Sequence, residues 1–160
     1  MDELAGQAPD PAAVRLAAWF HDAVYRGEPG ADEENRALLA ELVLARLSWR
    51  PERVAEVGRL VRLTADHGGI AGNDLNAAVL ADADLAVLAS AGPEYEAYTR
   101  AVQQEYAHVP DDLFAAGRAQ ILTRLLRSGS LFRTPAARRW TARAEANLMA
   151  ELAALATRER

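Results

Sequence analysis

Ala17-Ala18-Trp19-Phe20-His21-Asp22-Ala23-Val24-Tyr25 is an apolar stretch broken by an adjacent imidazole and carboxylate. Its alanine content and the lack of period-two alternation predict a helix. A helix that served only a core would not set His21 and Asp22 beside Trp19 and Phe20, because a buried charge is costly unless something of opposite sign compensates it. A divalent cation would do so, and neutral imidazole with carboxylate is a donor set that Mn, Fe, Co, Ni or Zn accepts. The plainer alternative is that Asp22 pairs with an arginine and His21 is a hydrogen-bonded core histidine.

Outward from this stretch the pattern stays helical. Asp10-Pro11 reads as an N-cap with proline at the first helical position, opening a helix to about Tyr25. Arg26-Gly27-Glu28-Pro29-Gly30 breaks it, and a second helix is expected from about Asp32 to Leu47. Pro51 opens a third helix to about Asp66, and His67-Gly68-Gly69-Ile70-Ala71-Gly72 interrupts the chain again. Asn73 or Asp74 can cap a fourth helix to about Ser90, and Gly92-Pro93 separates it from a fifth ending near Ala107. Pro110 opens a sixth to about Arg127, and Leu131-Phe132-Arg133-Thr134-Pro135 leads into a last one. The expectation is an all-α bundle of about seven helices in one domain spanning residues 1–160.

Composition narrows the chemistry. The chain has no cysteine, so disulfides, thiolate metal sites and a cysteine nucleophile are excluded. Any metal must be held by His, Asp, Glu, backbone or water. A net charge of −5 argues against a surface for nucleic-acid polymers. No apolar run is long enough for a membrane span, so no membrane partner and a cytoplasmic location are expected.

Other polar groups stand out against the helices. Glu33 and Glu34 follow the first break, where negative charge simply suits a helix start. Thr64-Ala65-Asp66-His67 closes the third helix, where His67 can favour the helix C-terminus. Asp82 and Asp84 interrupt Val79-Leu80-Ala81-Asp82-Ala83-Asp84-Leu85-Ala86-Val87-Leu88. Residues two apart on a helix differ by about 200°, so the two carboxylates cannot face one point. One of them can ligate a metal while the other meets an arginine, or both can be salt-bridge partners. His108, before Val109-Pro110, reads as a loop residue.

Taken together and in order, these segments resemble the HD-domain superfamily of metal-dependent phosphohydrolases, and within it a small bacterial group of predicted HD phosphohydrolases. The resemblance rests on Ala18-Trp19-Phe20-His21-Asp22-Ala23-Val24-Tyr25, Asp32-Glu33-Glu34-Asn35-Arg36-Ala37, Thr64-Ala65-Asp66-His67 and Asp82-Ala83-Asp84-Leu85-Ala86-Val87-Leu88. Glu105-Tyr106, Gly117-Arg118 and Asn147-Leu148 add to it, so that it covers about Val14 to Leu152.

The resemblance implies a hydrolase of a small phosphorylated substrate, such as a nucleotide, acting through water activated by a divalent metal ion (Mn, Fe, Co, Ni, Zn or Mg). His21 and Asp22 match the family's metal-holding pair, and Asp84 its distant aspartate, with Asp82 as the alternative. His67 falls where some members place extra histidines for a second metal or a substrate phosphate. Glu33 or Glu34 would position the attacking water, and Asp22 or a glutamate would take its proton. Arg36 and Arg118 are candidates for the substrate phosphate.

One departure matters. The family's upstream metal-binding histidine has no counterpart, since no histidine precedes His21. The expectation is therefore that the family's N-terminal helix is missing here, leaving exposed apolar faces that favour a homodimer. The alternative function is a catalytically impaired HD-like helical protein with a structural or regulatory role.

Overall fold

A computed structural model of the chain describes residues 2–24, 30–65 and 69–158. The protein is all-α, and no strand occurs among the described residues. The chain separates into two compact units, Met1–Asp84 and Leu85–Arg160.

The first unit holds α1 (Asp2–Ala5), α2 (Pro11–Phe20), α3 (Ala31–Arg46), α4 (Pro51–Leu63) and α5 (Leu75–Asp84). Several boundaries follow from local chemistry. Asp10 accepts the Ala13 N–H at 3.1 Å and Pro11 occupies the first helical position, which together start α2. Asp74, not Asn73, accepts the Ala77 N–H at 3.1 Å and caps α5. Gly30 stands before α3 at a φ of 85°, a conformation costly for any side chain, and donates its N–H back to Glu33.

Small residues let these helices approach. Ala37, Ala40 and Leu44 of α3 and Val57, Leu60 and Val61 of α4 form buried faces where the two helices pack most extensively. Each fully buried leucine contributes about 1.5–3 kcal/mol. Gly58 marks the closeness: a Cβ there would meet the Glu41 carboxylate and the Arg62 guanidinium, the ends of flexible side chains that would have to shift. Those groups pair across the helices at 2.6 Å. In α2 the buried residues are Ala13, Val14 and Ala17, whereas the Trp19 indole is 83% exposed.

The helix α2 lies against both α4 and α5. At its start, the Asp10 N–H donates to Asn76 Oδ1 at 2.9 Å, in the first turn of α5. Beyond its end, His21 meets Asp84, the last residue of α5. The two helices therefore run side by side in the same direction. Their starts are latched to one face of α4: Arg53 Nε donates to Asp10 at 2.8 Å, and Glu56 accepts from Asn76 at 2.8 Å. Arg59 bridges Glu56 at 2.8 Å and Asp74 at 2.6 Å.

The second unit holds a 3-10 turn (Leu85–Ala89), α6 (Gly92–Glu105), α7 (Asp111–Arg127), a second 3-10 turn (Ala137–Trp140) and α8 (Thr141–Arg158). Leu122, Phe132, Ala144 and Leu148 are fully buried, and the Phe132 ring meets Trp140 edge-on at 5.6 Å. Asn147 of α8 donates from its amide to the Leu88 and Ser90 carbonyls at 2.8 and 3.1 Å, satisfying the end of the first 3-10 turn.

Two expected boundaries move. The first long helix ends at Phe20, not Tyr25, so His21 and Asp22 follow a helix instead of sitting within one. The fourth changes from α to 3-10 after Asp84, six residues before Ser90. No single described helix is long and apolar enough to cross a membrane.

Candidate functional site

The end of α2 is set by the histidine itself. Its backbone N–H still donates to the Ala17 carbonyl at 2.9 Å, while ring Nδ1 donates to the Ala18 carbonyl at 2.7 Å. One of the unsatisfied carbonyls of the last turn thus finds a side-chain donor. With Nδ1 committed, Nε2 is the ring atom turned to other partners. It lies 3.2 Å from Asp22 Oδ2 and 3.2 Å from Asp84 Oδ1.

Three groups separated along the chain are thereby brought together: His21 and Asp22 after α2, and Asp84 at the end of α5. Their electrostatics favour positive charge. The hydrogen bond to Asp84 raises the His21 pKa to about 9 against the opposing effect of burial, with Ala18 and the Asp22 charge adding to the rise. The end of α2 adds to this, since a helix C-terminus carries partial negative charge. The metal-free cluster is an imidazolium between two carboxylates.

Arg36 of α3 supports the turn after the cluster. Its guanidinium is almost fully buried; Nε donates to the Val24 carbonyl, while Nη1 lies 3.4 Å from Glu33 and 4.0 Å from Asp22. Glu33 is thus joined to the cluster through Arg36 and also accepts the Gly30 N–H. Glu34, one residue later, is held by α4 instead: Arg62 grips its carboxylate at 2.7 and 2.8 Å. Adjacent helical residues differ by about 100° in direction, which separates the two glutamates.

The remaining candidates divide as follows. Asp82 is completely buried in α5, whereas the Asp84 side chain is 28% exposed and reaches His21. Arg118 belongs to the second unit, where Glu151 holds its guanidinium at 2.7 and 3.2 Å. His67, together with Asp66 and Tyr25, lies outside the described residues. Among the described residues, no group of three or more His, Asp or Glu side chains is set as a ready-made metal cage.

A second buried polar cluster escaped the sequence reading. Glu151 accepts from Arg118 and from the Tyr95 hydroxyl, and the guanidinium lies 5.4 Å from the Tyr98 ring centre. The signal was a carboxylate in α8 spaced three residues after the buried Leu148 and four before the buried Leu155. Compared with family models, curated proteins and solved structures, the chain finds no match.

Proposed function

We propose that the chain is a metal-dependent phosphohydrolase of the HD type, acting in the cytoplasm on a small phosphorylated substrate such as a nucleotide. The observation that carries this reading is His21: Nδ1 is tied to a backbone carbonyl, and Nε2 is presented to both Asp22 and Asp84. Metal-binding histidines are oriented in the same way, by a hydrogen bond at the ring nitrogen that does not bind the ion. The donor set of one imidazole and two carboxylates fits a divalent cation, and the C-terminal end of α2 favours its charge.

His21, Asp22 and Asp84 would hold the ion, which supplies a bound water of lowered pKa and polarises a phosphoryl oxygen. The chain's own groups do the rest. Asp22, with a side chain 78% exposed, is the carboxylate open to solvent and to a substrate, and the one placed to accept a proton. Arg36 is too enclosed to meet a phosphate; with Glu33 it fixes the turn that aims Asp22.

The test is metal content and hydrolysis of p-nitrophenyl phosphate by the full chain loaded in turn with Mn, Fe, Co, Ni, Zn and Mg. The expected result is stoichiometric metal and hydrolysis that Asp22→Ala and Asp84→Ala both abolish. Hydrolysis that survives both substitutions, or a chain that retains no metal, overturns the assignment.

One observation favours a second reading. As placed, the three groups satisfy one another as an ion-pair cluster without any ion. On that reading the chain is a catalytically silent helical protein with a structural or regulatory role, and Asp84→Ala would change only its stability.

A further inference from the structure

The helix α3 carries two apolar faces. Ala37, Ala40 and Leu44 are buried within the first unit. Ala31, Leu38, Leu42 and Ala45 lie on another side with Asn35 among them, and all five are exposed, Leu38 and Leu42 to 50% and 52%. A helix that is apolar on a second side gains by having that side covered.

The exposed five recur at spacings of four, three, four and three residues, the a and d pattern of a coiled coil. Asn35 and Leu42 fall at a, and Ala31, Leu38 and Ala45 at d. The pattern suits a second copy of itself: leucines meet at the centre, and the alanines at either end let the helices approach. A single asparagine at a is a device by which parallel dimers fix their register.

Charge selects the direction. Glu41 falls at g and Arg46 at the e position five residues on, the two positions that face each other between parallel helices. Glu41 and Glu34 both meet Arg62, but two carboxylates against one guanidinium leave that flank net negative, and Arg46 is exposed. In a parallel, in-register pair the negative flank of each copy faces Arg46 of the other. An antiparallel pair would set Glu41 beside Glu41 and put both Arg46 residues on the opposite flank.

We propose that the outer face of α3 is a self-association surface on which α3 of a second copy lies parallel and in register. The surface rests on no part of the His21 cluster. A contact only two heptads long is small, so the dimer is reversible and concentration-dependent.

The experiment is sedimentation velocity on the full chain over a concentration series reaching about 1 mM, where a contact of this size is read. A reversible dimer is expected. Leu38→Glu and Leu42→Glu, at exposed positions, should each weaken it about tenfold or more while the dilute chain keeps its helical circular dichroism. Arg46→Glu should weaken it about threefold or more, since each dimer holds two such pairs. The chain has no cysteine, so Ala31→Cys and Ala45→Cys each supply a single thiol. Both variants should oxidise to disulfide-linked dimers, whereas an antiparallel pair can bring only one of these positions together. A chain monomeric throughout, which would assign the face to a different protein, overturns the proposal. So does a dimer indifferent to the two leucine substitutions, or one that fewer than both cysteines can link.

Discussion

The two units each place opposite charges inside a helical framework, and they do so differently. In the second unit, Arg118 and Glu151 are both nearly enclosed and joined by a two-point contact that Tyr95 completes. In the first, His21 stands between two carboxylates, one of which, Asp22, is largely in water. A bidentate, enclosed pair is a finished structural element. A histidine shared between two carboxylates, with one side open, is the more changeable arrangement, and under the proposed function its proton gives way to a metal ion. Burial and valence separate the two clusters, although each combines a cation with carboxylate.

The sharpest way to break this contrast is Glu151→Ala, which leaves a buried guanidinium without its carboxylate. It should cost about 3–5 kcal/mol in denaturant unfolding, and a loss below about 1 kcal/mol would remove the distinction between the clusters. Next in size is Asp84→Asn. Charged hydrogen bonds contribute about 1.5–3 kcal/mol, so this change should lower stability by that order and return the His21 pKa toward its ordinary value. Histidine titration by NMR should show a smaller fall for Asp22→Asn, because the hydrogen bond to Asp84 is the main cause of the raised value.

The pH dependence has a definite sign. In the metal-free chain the His21 pKa is raised from 6.5 to about 9, so its contribution is complete below about pH 6.5 and is lost as pH climbs through about 9. Urea midpoints should fall across that window, and Asp84→Asn should flatten the fall. The latch at the helix starts responds in the other direction. Its hydrogen bond from Arg59 lowers the Glu56 pKa below 4.5, so that stability is present above that value and lost as acid protonates the carboxylate. Arg59→Ala, at a half-exposed position, should cost only about 0.2–1 kcal/mol by the same measurement.

Much of the fold was legible because prolines and capping aspartates act locally. Pro11, Pro51, Asp10 and Asp74 all mark the helix starts that sequence reading assigns to them or allows. The end of α2 was not legible, since nothing between Phe20 and Gly27 forbids a helix. What closes it is the His21 ring on Ala18, with the following turn pinned by Arg36 from another helix. The opposed directions of Asp82 and Asp84 were readable from helical rotation, but which one met His21 depended on the alignment of α2 with α5. The pairing of Arg118 with Glu151 spans 33 residues and leaves no local trace beyond a charge at an apolar spacing.

The shared direction of α2 and α5 has a dynamic consequence. At their starts the pair is held by a web of side-chain hydrogen bonds, and at their finish the His21 ring joins them with a charge that depends on its surroundings. Separation should therefore begin at the far end and travel backward, and amide exchange along α2 should grade from fast beside Phe20 to slow beside Val14. Any ion that settles against Nε2 would act as a removable rivet, slowing exchange where the two helices finish and leaving their anchored beginnings untouched.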